Sequence, residues 1–387
     1  MRRQKIIPIT KPSFDESETK AVAEVLCSGW VVQGPKVREF ERLFEEFQDC
    51  TDAVATTSAT TALHLALLCL GIEKGDEVIV PAFTHPATAN AVKYVGAKPV
   101  FVDIELPNFN IDPSEIEKKA TKRTKAIIPV HLFGLPADMD PIMDMAKSFS
   151  LKVIEDAACA HGAEYRGRKV GAIGDCGAFS FHPRKAITTG EGGMLTTNDQ
   201  KIADQARILR SHGESVSDEL RHKADVVIYP DFVMLGFNYR ITDMQAAIGV
   251  EQMKKLPYIL KERRRLASRY NQLLSELEGD ECLVLPHPID GFVHSYQSYV
   301  ILMKEKVKGG RDGLSNELQK RGIATRKGTY HVPGTKFYKA VFGFNEGDFP
   351  NSELADDRSL ALPLYAGMEE EDINYVVENL RDVIREV

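Results

Sequence analysis

A single lysine in a glycine-rich loop is the residue of this chain best suited to covalent chemistry. Lys185 lies between two short apolar runs, Ala178–Phe181 and Met194–Thr197, which predict buried strands. The polar segment that joins them must cross the edge of a sheet, which brings the lysine to a pocket, and three nearby glycines let the backbone turn sharply or approach a ligand. An ordinary surface loop with a solvated lysine explains this segment equally well when it is taken alone.

A carboxylate at the end of an apolar strand is a second candidate. Asp156 closes the apolar run Leu151–Asp156. An anion in such a place is costly unless it meets a cation or hydrogen-bond donors, so a positively charged partner is expected beside it. Capping of a helix or a buried salt bridge within the protein is the alternative explanation.

A hydroxyl-rich turn is a third candidate, suited to a phosphate. The predicted strand Asp52–Thr56 runs into the turn Thr57–Thr61 and then into the apolar helix Ala62–Leu70. Free backbone N–H groups and the positive end of the helix dipole meet at the start of such a helix, where a phosphate binds well. Simple N-capping by Ser58 or Thr60 is the alternative explanation.

Apolar strands alternate with helices through the first part of the chain. The further predicted strands include Glu77–Pro81, Lys98–Ile104 and Lys125–Val130, and helices near Pro113–Lys119 and Met139–Phe149 lie among them. This alternation predicts an α/β fold with a mainly parallel sheet covered on both faces, and a ligand bound outside the strand ends.

The pattern changes beyond about Lys255, where a smaller α+β domain is predicted. A long charged helix around Lys261–Arg265 precedes a strand near Tyr299–Leu302 and a helix over Asp312–Lys320. The arginines of the charged run are interpreted as a solvated helix face and not as an anion site. The predicted division is an N-terminal arm over residues 1–15, a large domain over 16–256 and a small domain over 257–387.

Composition narrows the function classes. A chain of 387 residues is expected to form two domains, because single cores stop growing near about 250–300 residues. A formal net charge of −7 gives no broad attraction to nucleic acid or to anionic membranes. No apolar run reaches the ~18–20 residues that span a bilayer and no signal peptide is legible, so a cytoplasmic location is expected. Six scattered cysteines and the histidine spacing predict reduced thiols and no metal site.

The segment Ser-Phe-His-Pro-Arg-Lys-Ala-Ile-Thr-Thr-Gly-Glu-Gly-Gly, residues 180–193, resembles the DegT/DnrJ/StrS family of sugar aminotransferases. Members of that family depend on pyridoxal 5′-phosphate (PLP) and have the aspartate aminotransferase-like fold, PLP-dependent transferase fold type I. Further matching segments in the same order run from about Ile9 to about Val383. The resemblance implies a large mainly parallel-sheet domain, a smaller C-terminal α+β domain and an N-terminal arm that packs across.

The resemblance also implies roles for the three candidate groups. Lys185 would form a Schiff base with PLP and act as a catalytic residue together with Asp156, which would keep the pyridine nitrogen protonated. Ser58, Ala59 and Thr60 would bind the cofactor phosphate, with Ala59 standing where the family usually has glycine.

Four further residues are implied as cofactor contacts. An aromatic residue commonly lies against the PLP ring at the position of His85, and a planar imidazole can stack there, although a helix-start histidine without a ligand is the alternative. Cys159 stands where the family usually has a glutamine that hydrogen-bonds the ring oxygen, and Ser180 opens the lysine motif. Asn238 would reach the cofactor phosphate of the neighbouring subunit, which implies a homodimer with shared active sites.

A variable family segment near the substrate makes Arg326 and His331 candidate substrate contacts. The implied activity is transfer of an amino group from an amino acid, glutamate, to a nucleotide-linked keto-deoxy sugar. An aminotransferase for a non-nucleotide ketone, such as a cyclitol or an aminobenzoate precursor, is an open alternative. Lys185 argues against a dehydratase, and the joint presence of the three candidate groups argues against a non-enzymatic regulatory protein on the same scaffold.

Overall fold

The computed structural model describes residues 6–106, 108–216, 227 and 229–386, so the first five residues of the predicted arm lie outside the described residues. The described helices are α1 Glu16–Ser28, α2 Pro35–Gln48, α3 Ala59–Cys69, α4 Pro86–Tyr94, α5 Pro113–Lys119, α6 Met139–Phe149, α7 Gln200–Arg210, α8 Asp243–Gly279, α9 Gly310–Lys320, α10 Lys336–Phe342, α11 Pro350–Arg358 and α12 Glu370–Glu386. The described strands are β1 Asp52–Thr56, β2 Glu77–Pro81, β3 Phe83–Thr84, β4 Lys98–Val102, β5 Thr124–Ile127, β6 Lys152–Asp156, β7 Glu164–Tyr165, β8 Arg168–Lys169, β9 Cys176–Ser180, β10 Gly193–Thr197, β11 Leu283–Val284, β12 Phe292–Val293, β13 Tyr299–Met303, β14 Arg326–Lys327, β15 Tyr330–His331 and β16 Ser359–Leu362.

A seven-stranded sheet forms the centre of the larger part of the molecule. Its strand order is β1-β10-β9-β6-β5-β2-β4, and the neighbours from β9 to β4 are all parallel, whereas β10 is antiparallel to both β9 and β1. Successive residues of β1 enter different cores, with Ala53 and Ala55 on one face and Val54 on the other. The predicted α/β class with a mainly parallel, doubly covered sheet is therefore confirmed.

The antiparallel strand β10 places the lysine loop at the same end of this sheet as Asp156. The last residue of β9, Ser180, pairs with the first residue of β10, Gly193, which in turn pairs with Thr56 at the end of β1. Asp156 at the end of β6 pairs with Ala178 of β9. The ends of three strands and the loop between β9 and β10 therefore meet in one region.

The smaller sheet lies towards the C-terminus and is entirely antiparallel, in the order β11-β13-β16-β14. The N-terminal arm packs against this part of the molecule. Ile7 forms a parallel bridge with Ile323, and the Leu364 N–H donates to the carbonyl oxygen of Ile9 at 3.2 Å. The arm thus reaches the strands that border the candidate site.

Helix α8 joins the two parts of the molecule without a break. The helix expected after Thr242 and the charged helix around residue 263 are one continuous helix of 37 residues. Thr242 is its N-cap, and Pro257 lies inside it. Leu260 still belongs to the core beneath the large sheet, whereas Leu266 belongs to the C-terminal core. The predicted boundary between residues 256 and 257 falls inside this helix, and the division into domains stays a prediction.

The interpretation of the arginine run as a solvated face is wrong for Arg263. Its side chain is 2% exposed, and Nη1 donates to the carbonyl oxygens of Tyr296, Gln297 and Leu364 at 3.2, 3.0 and 3.2 Å. Burial lowers the pKa of Arg263 to about 10, so the group remains charged at neutral pH. Arg263 therefore ties α8 to the chain segment around residue 297, which borders the candidate site.

Replacing Arg263 with alanine is expected to lower the free energy of unfolding by about 3 kcal/mol, because three carbonyl oxygens, two of them in buried hydrogen bonds, lose a charged donor. The apparent melting temperature should fall by roughly 5 °C or more, as measured by circular dichroism. Arg265, which is exposed and pairs with Glu262 and Glu370, is the matched control. Arg265→Ala should change the free energy by less than about 0.5 kcal/mol. Equal effects of the two substitutions would contradict the bridging role of Arg263.

Three general features of the described residues bear on function. No described helix combines the length and the apolar composition that crossing a bilayer requires. All six cysteines are free thiols. Within the same part of the chain, no group of three or more His, Cys, Asp or Glu side chains is arranged to hold a metal ion.

Candidate active site

A cavity of about 250 Å³ opens where the strand ends of the large sheet face the smaller sheet. Its lining brings together residues that are far apart in the chain. The predicted site residues among them are Ser58, Ala59, Thr60, His85, Asp156, Cys159, Ser180, Lys185 and Arg326. The fold therefore gathers most of the residues proposed from sequence around a single space.

Asp156 is a buried carboxylate, only 5% exposed, at the end of β6. Its Oδ2 accepts a hydrogen bond from the Thr88 hydroxyl at 2.7 Å, and its Oδ1 accepts one from the Ala158 N–H at 3.2 Å. No Lys, Arg or His side chain of the described residues forms an ion pair with it. The two neutral donors leave its charge uncompensated, which favours a positively charged ligand atom next to it.

Lys185 extends from its loop into the same cavity. Its Nζ lies 3.0 Å from Sγ of Cys159, and the loop is held in place by Thr188 Oγ1 and Thr189 N–H, which donate to the Phe181 carbonyl oxygen at 2.7 and 3.1 Å. Among the described residues, Lys185 is the only lysine that lines this cavity. A cysteine at position 159 is therefore a direct neighbour of the Lys185 amine.

The start of α3 has both of the properties proposed for it. Ser58 is the N-cap, and its Oγ accepts a hydrogen bond from the Thr61 N–H at 3.2 Å in a capping box. The N–H groups of Ala59 and Thr60 precede the first intrahelical hydrogen bond, so they have no partner within the helix, and both residues border the cavity. Capping and anion binding are thus compatible at this turn.

Gly193 lets β10 pass directly against this turn. A Cβ atom built on Gly193 would lie 2.2 Å from the carbonyl carbon of Ser58 and 2.5 Å from the nitrogen of Ala59. No larger residue fits there without moving the backbone. The side chain of the register partner, Ser180, is buried beside the same turn and also lines the cavity.

His85 presents an imidazole ring to the cavity. It is the N-cap of α4, and its Nδ1 accepts a hydrogen bond from the Ala87 N–H at 3.2 Å. The loss of water around the ring, followed by the charge of nearby Lys185, lowers the pKa of His85. The ring is therefore neutral at neutral pH, which suits stacking against a planar ligand.

The structure places the remaining three predicted residues differently from one another. Arg326 lines the cavity, whereas His331 does not. The backbone N–H of His331 donates to Asp356 Oδ1 at 2.7 Å, and the ring Nδ1 of His331 lies 2.7 Å from Ser352 Oγ. This position gives no support to a substrate contact by His331 and indicates that it fastens β15 to α11. Asn238 is exposed and lies outside the cavity lining of its own chain.

Several lining residues were not predicted from the sequence. They include Arg184, Gln297, Ser298 and Thr329. Thr88 was not predicted either, and it belongs to the site through its hydrogen bond to Asp156. Arg184 precedes the candidate lysine and could have been found from that position. Gln297 and Ser298 carry no motif, so only the fold shows that they reach the site.

The groups around the cavity fit a phosphorylated pyridine ring. Asp156 supplies a buried negative charge for a protonated ring nitrogen, the start of α3 supplies N–H groups for a phosphate, and Lys185 supplies an amine. His85 adds a neutral planar ring. This combination is the one that PLP requires of a protein.

Comparisons with known proteins agree with this assignment. The GDP-perosamine synthase of Caulobacter vibrioides is 40% identical over 381 residues, covering 98% of each chain, and the spore coat polysaccharide biosynthesis protein SpsC of Bacillus subtilis is 39% identical over 386 residues, covering 99% of this chain and 98% of SpsC. The solved structure of Spr1654 from Streptococcus pneumoniae in its PLP form superposes with a TM-score of 0.90 at 30% identity, covering 99% of both chains.

The family match extends over almost the whole chain. The sequence model of the DegT/DnrJ/EryC1/StrS aminotransferase family matches residues 12–381. The predicted fold of PLP-dependent aminotransferases is confirmed by the structural likeness. The chain belongs to the DegT/DnrJ/EryC1/StrS aminotransferase family, and its cofactor is PLP.

Proposed function

We propose that this sugar aminotransferase transfers the amino group of L-glutamate to a nucleotide-linked keto-deoxy sugar. The observation that carries the proposal is the convergence of Lys185, Asp156 and the start of α3 on one cavity. The nucleotide-linked acceptor is supported by the similarity to a GDP-perosamine synthase. A cytoplasmic location belongs to the same proposal, since both substrates are charged and do not cross a bilayer unaided.

Each residue has a task in this proposal that follows from its contacts. PLP, when bound, supplies an electron sink that stabilises negative charge on the substrate carbon during proton removal. Lys185 Nζ would take the proton from that carbon and return it to the cofactor carbon, as a general base and then a general acid. Asp156 would keep the ring nitrogen protonated, and the N–H groups at Ala59 and Thr60 would hold the phosphate.

The test of the proposed substrates is an assay of the purified holoenzyme. L-Glutamate is offered with a panel of 3-keto and 4-keto sugars linked to nucleoside diphosphates, and the aminated sugar is detected by mass spectrometry. Amination of a panel member supports the proposal, and the unlinked keto sugar at the same concentration should react far more slowly. Amination of a cyclitol ketone in place of every nucleotide-linked sugar would show that the acceptor class is wrong.

We further propose that two subunits share each active site. Asn238 is exposed and does not line the cavity of its own chain. It follows a surface segment with large exposed apolar side chains, including Tyr229 and Leu235, each 88% exposed. Clustered apolar surface of this kind is typical of a contact with another chain. A two-fold arrangement would let this segment cover a second subunit and bring Asn238 to that subunit's cofactor phosphate.

Mixing two inactive variants is expected to restore activity. In a heterodimer of Lys185→Ala and Asn238→Ala chains, one site has both native residues and the other has neither. Random subunit exchange should therefore restore up to about a quarter of the wild-type activity in the mixture, and up to about half in the isolated heterodimers, if the sites act independently. Turnover is measured after the mixed dimers are isolated by two different affinity tags. Isolated heterodimers as inactive as the parent proteins, or an active monomer, would contradict shared sites.

A further inference from the structure

A small side pocket opens off the main cavity next to the N-terminal arm. Its volume is about 10 Å³. We call it the arginine pocket, and the residues that it shares with the main cavity are Arg184, Gln297, Ser298 and Arg326. The arm and the end of the smaller sheet supply the rest of its lining, which consists of Ile9, Thr10, Leu362 and Leu364.

The donors around the arginine pocket lack acceptors within the described part of the chain. Within the described residues, neither the Arg184 nor the Arg326 guanidinium forms a hydrogen bond or an ion pair. The hydrogen bonds of Arg184 are made by its backbone, whose carbonyl oxygen accepts from Gln297 Nε2 at 2.9 Å. Thr10 Oγ1 is buried and has no hydrogen-bond partner among the same residues. Two charged groups and one buried hydroxyl therefore border a space that contains no protein acceptor for them.

The two arginines also repel each other. The pKa of Arg326 is lowered, first by its burial and then by the charge of Arg184. The carboxylates that line the main cavity, Asp156 and Glu191, form no ion pair with either arginine. An anion bound between the two guanidinium groups would relieve this repulsion and satisfy the free donors.

The size of the pocket selects among anions. A guanidinium group recognises carboxylates and phosphates through its planar fork of donors. The small volume of the arginine pocket, about 10 Å³, favours a carboxylate over a bulkier diphosphate. The α-carboxylate of an amino acid is only two bonds from the nitrogen that reacts beside Lys185. The arginine pocket, whose lining does not include Lys185, is therefore suited to a second carboxylate.

We propose that the arginine pocket binds the distal carboxylate of a dicarboxylic amino donor. Arg184 and Arg326 are the binding residues, and the Thr10 hydroxyl is the third donor. This inference rests on the proposed use of an amino-acid donor and extends it, because the pocket selects L-glutamate over L-alanine.

The donor half-reaction tests this selection without any sugar present. The absorbance change of the holoenzyme is followed against the concentration of L-glutamate and of L-alanine. For Arg326→Gln and Arg184→Gln, the apparent dissociation constant of L-glutamate should rise roughly 10-fold or more, because a charged hydrogen bond is lost. The constant for L-alanine should change less than about twofold. Arg326→Lys, which keeps the charge without the planar fork, should lie between wild type and Arg326→Gln.

A binding measurement separates the pocket from the chemistry. Glutarate has two carboxylates and no amino group, so its binding to the holoenzyme is measured by calorimetry, with inorganic diphosphate in parallel. Arg326→Gln should weaken glutarate at least about tenfold and leave diphosphate unchanged. Arg42→Gln, which removes an exposed arginine on α2, is the control for net charge and should alter neither.

Three outcomes would overturn the proposal. Equal losses of affinity for L-glutamate and L-alanine would show that the arginines bind the α-carboxylate, or that the substitutions damage the whole site. Weaker binding of diphosphate with unchanged binding of glutarate would assign the arginines to the nucleotide-linked acceptor. If Arg326→Gln bound both glutarate and diphosphate as tightly as wild type, the pocket would bind neither anion. Failure of the proposed function is recognised separately, because a wild-type enzyme that no amino acid converts could still bind glutarate in the pocket.

Discussion

Alanine in place of Lys185 is expected to reduce transamination by at least about 10⁴-fold, at the upper end of the effect of losing a general acid–base group. The loss is this large because Lys185 is the only lysine lining the cavity among the described residues, and the thiol of Cys159, 3.0 Å from its Nζ, cannot replace the amine. The visible absorbance band of the lysine-linked cofactor should also disappear. Turnover and the absorption spectrum are the two measurements.

Peptide mapping makes the assignment of the lysine independent of activity. Borohydride reduction of the wild-type holoenzyme should label Lys185 with the cofactor. Lys152 lies at the opposite end of β6 from Asp156, is exposed and pairs with Asp175, so Lys152→Ala is the matched control and should keep both the label and the turnover. A label on a different lysine, or none on the holoenzyme, would show that Lys185 is not the linked residue.

The strands of the central sheet could be predicted from sequence because each one corresponds to an apolar run in its own segment. The runs at 52–56 and 77–81 have continuous apolar centres, Ala53–Ala55 and Val78–Val80, and both strands are completely buried in the structure. A strand buried on both faces shows no alternation, so its boundaries follow from composition alone. The same holds for Asp156, because the side chain that ends an apolar strand is recognisable without knowledge of its neighbours.

Contacts between distant segments were not predictable in this way. Arg263 belongs to a run of three arginines. Nothing in the run distinguishes Arg263, which is buried and donates to three carbonyl oxygens, from the exposed Arg265. Asp243 follows the N-cap of α8, but its carboxylate accepts from the N–H groups of Gly34 and Val37 at the start of α2, at 2.8 and 3.1 Å. Helical periodicity predicts on which face of a helix a residue lies, but it does not predict which segment packs against that face.

The candidate site shows the same limit. The positions of Lys185 and Ser58 could be inferred from their own loops, whereas Thr88 was missed although it belongs to the helix start next to His85. Its role depends on Asp156, 68 positions later in the chain, whose Oδ2 accepts from the Thr88 hydroxyl at 2.7 Å. The contact of His331 with α11 was not predictable for a similar reason, because its ring lies against Ser352 of a helix that sequence does not connect to it.

Replacing Asp156 with asparagine is expected to reduce turnover by roughly 10²–10³-fold while PLP still binds. The substitution keeps the shape of the side chain and removes the negative charge that would hold a proton on the ring nitrogen. Its amide can still be accommodated, because the Thr88 hydroxyl lies 3.1 Å from Thr84 Oγ1 and can donate to it while accepting from the new NH₂ group. Turnover is measured by the mass-spectrometric assay of the aminated sugar, and cofactor content by absorbance after denaturation.

The control for this substitution is Asp140→Asn, which changes an aspartate that pairs with Arg166 and Arg168 at the surface. Its turnover should stay within about twofold of wild type, since exposed pairs contribute little. The comparison separates the charge of Asp156 from its packing, because Asp156→Asn should retain full cofactor content and a melting temperature close to that of wild type. If Asp156→Asn keeps near-normal turnover with full cofactor, another group must hold the proton on the ring nitrogen, and the uncompensated buried charge at the end of β6 has a different purpose.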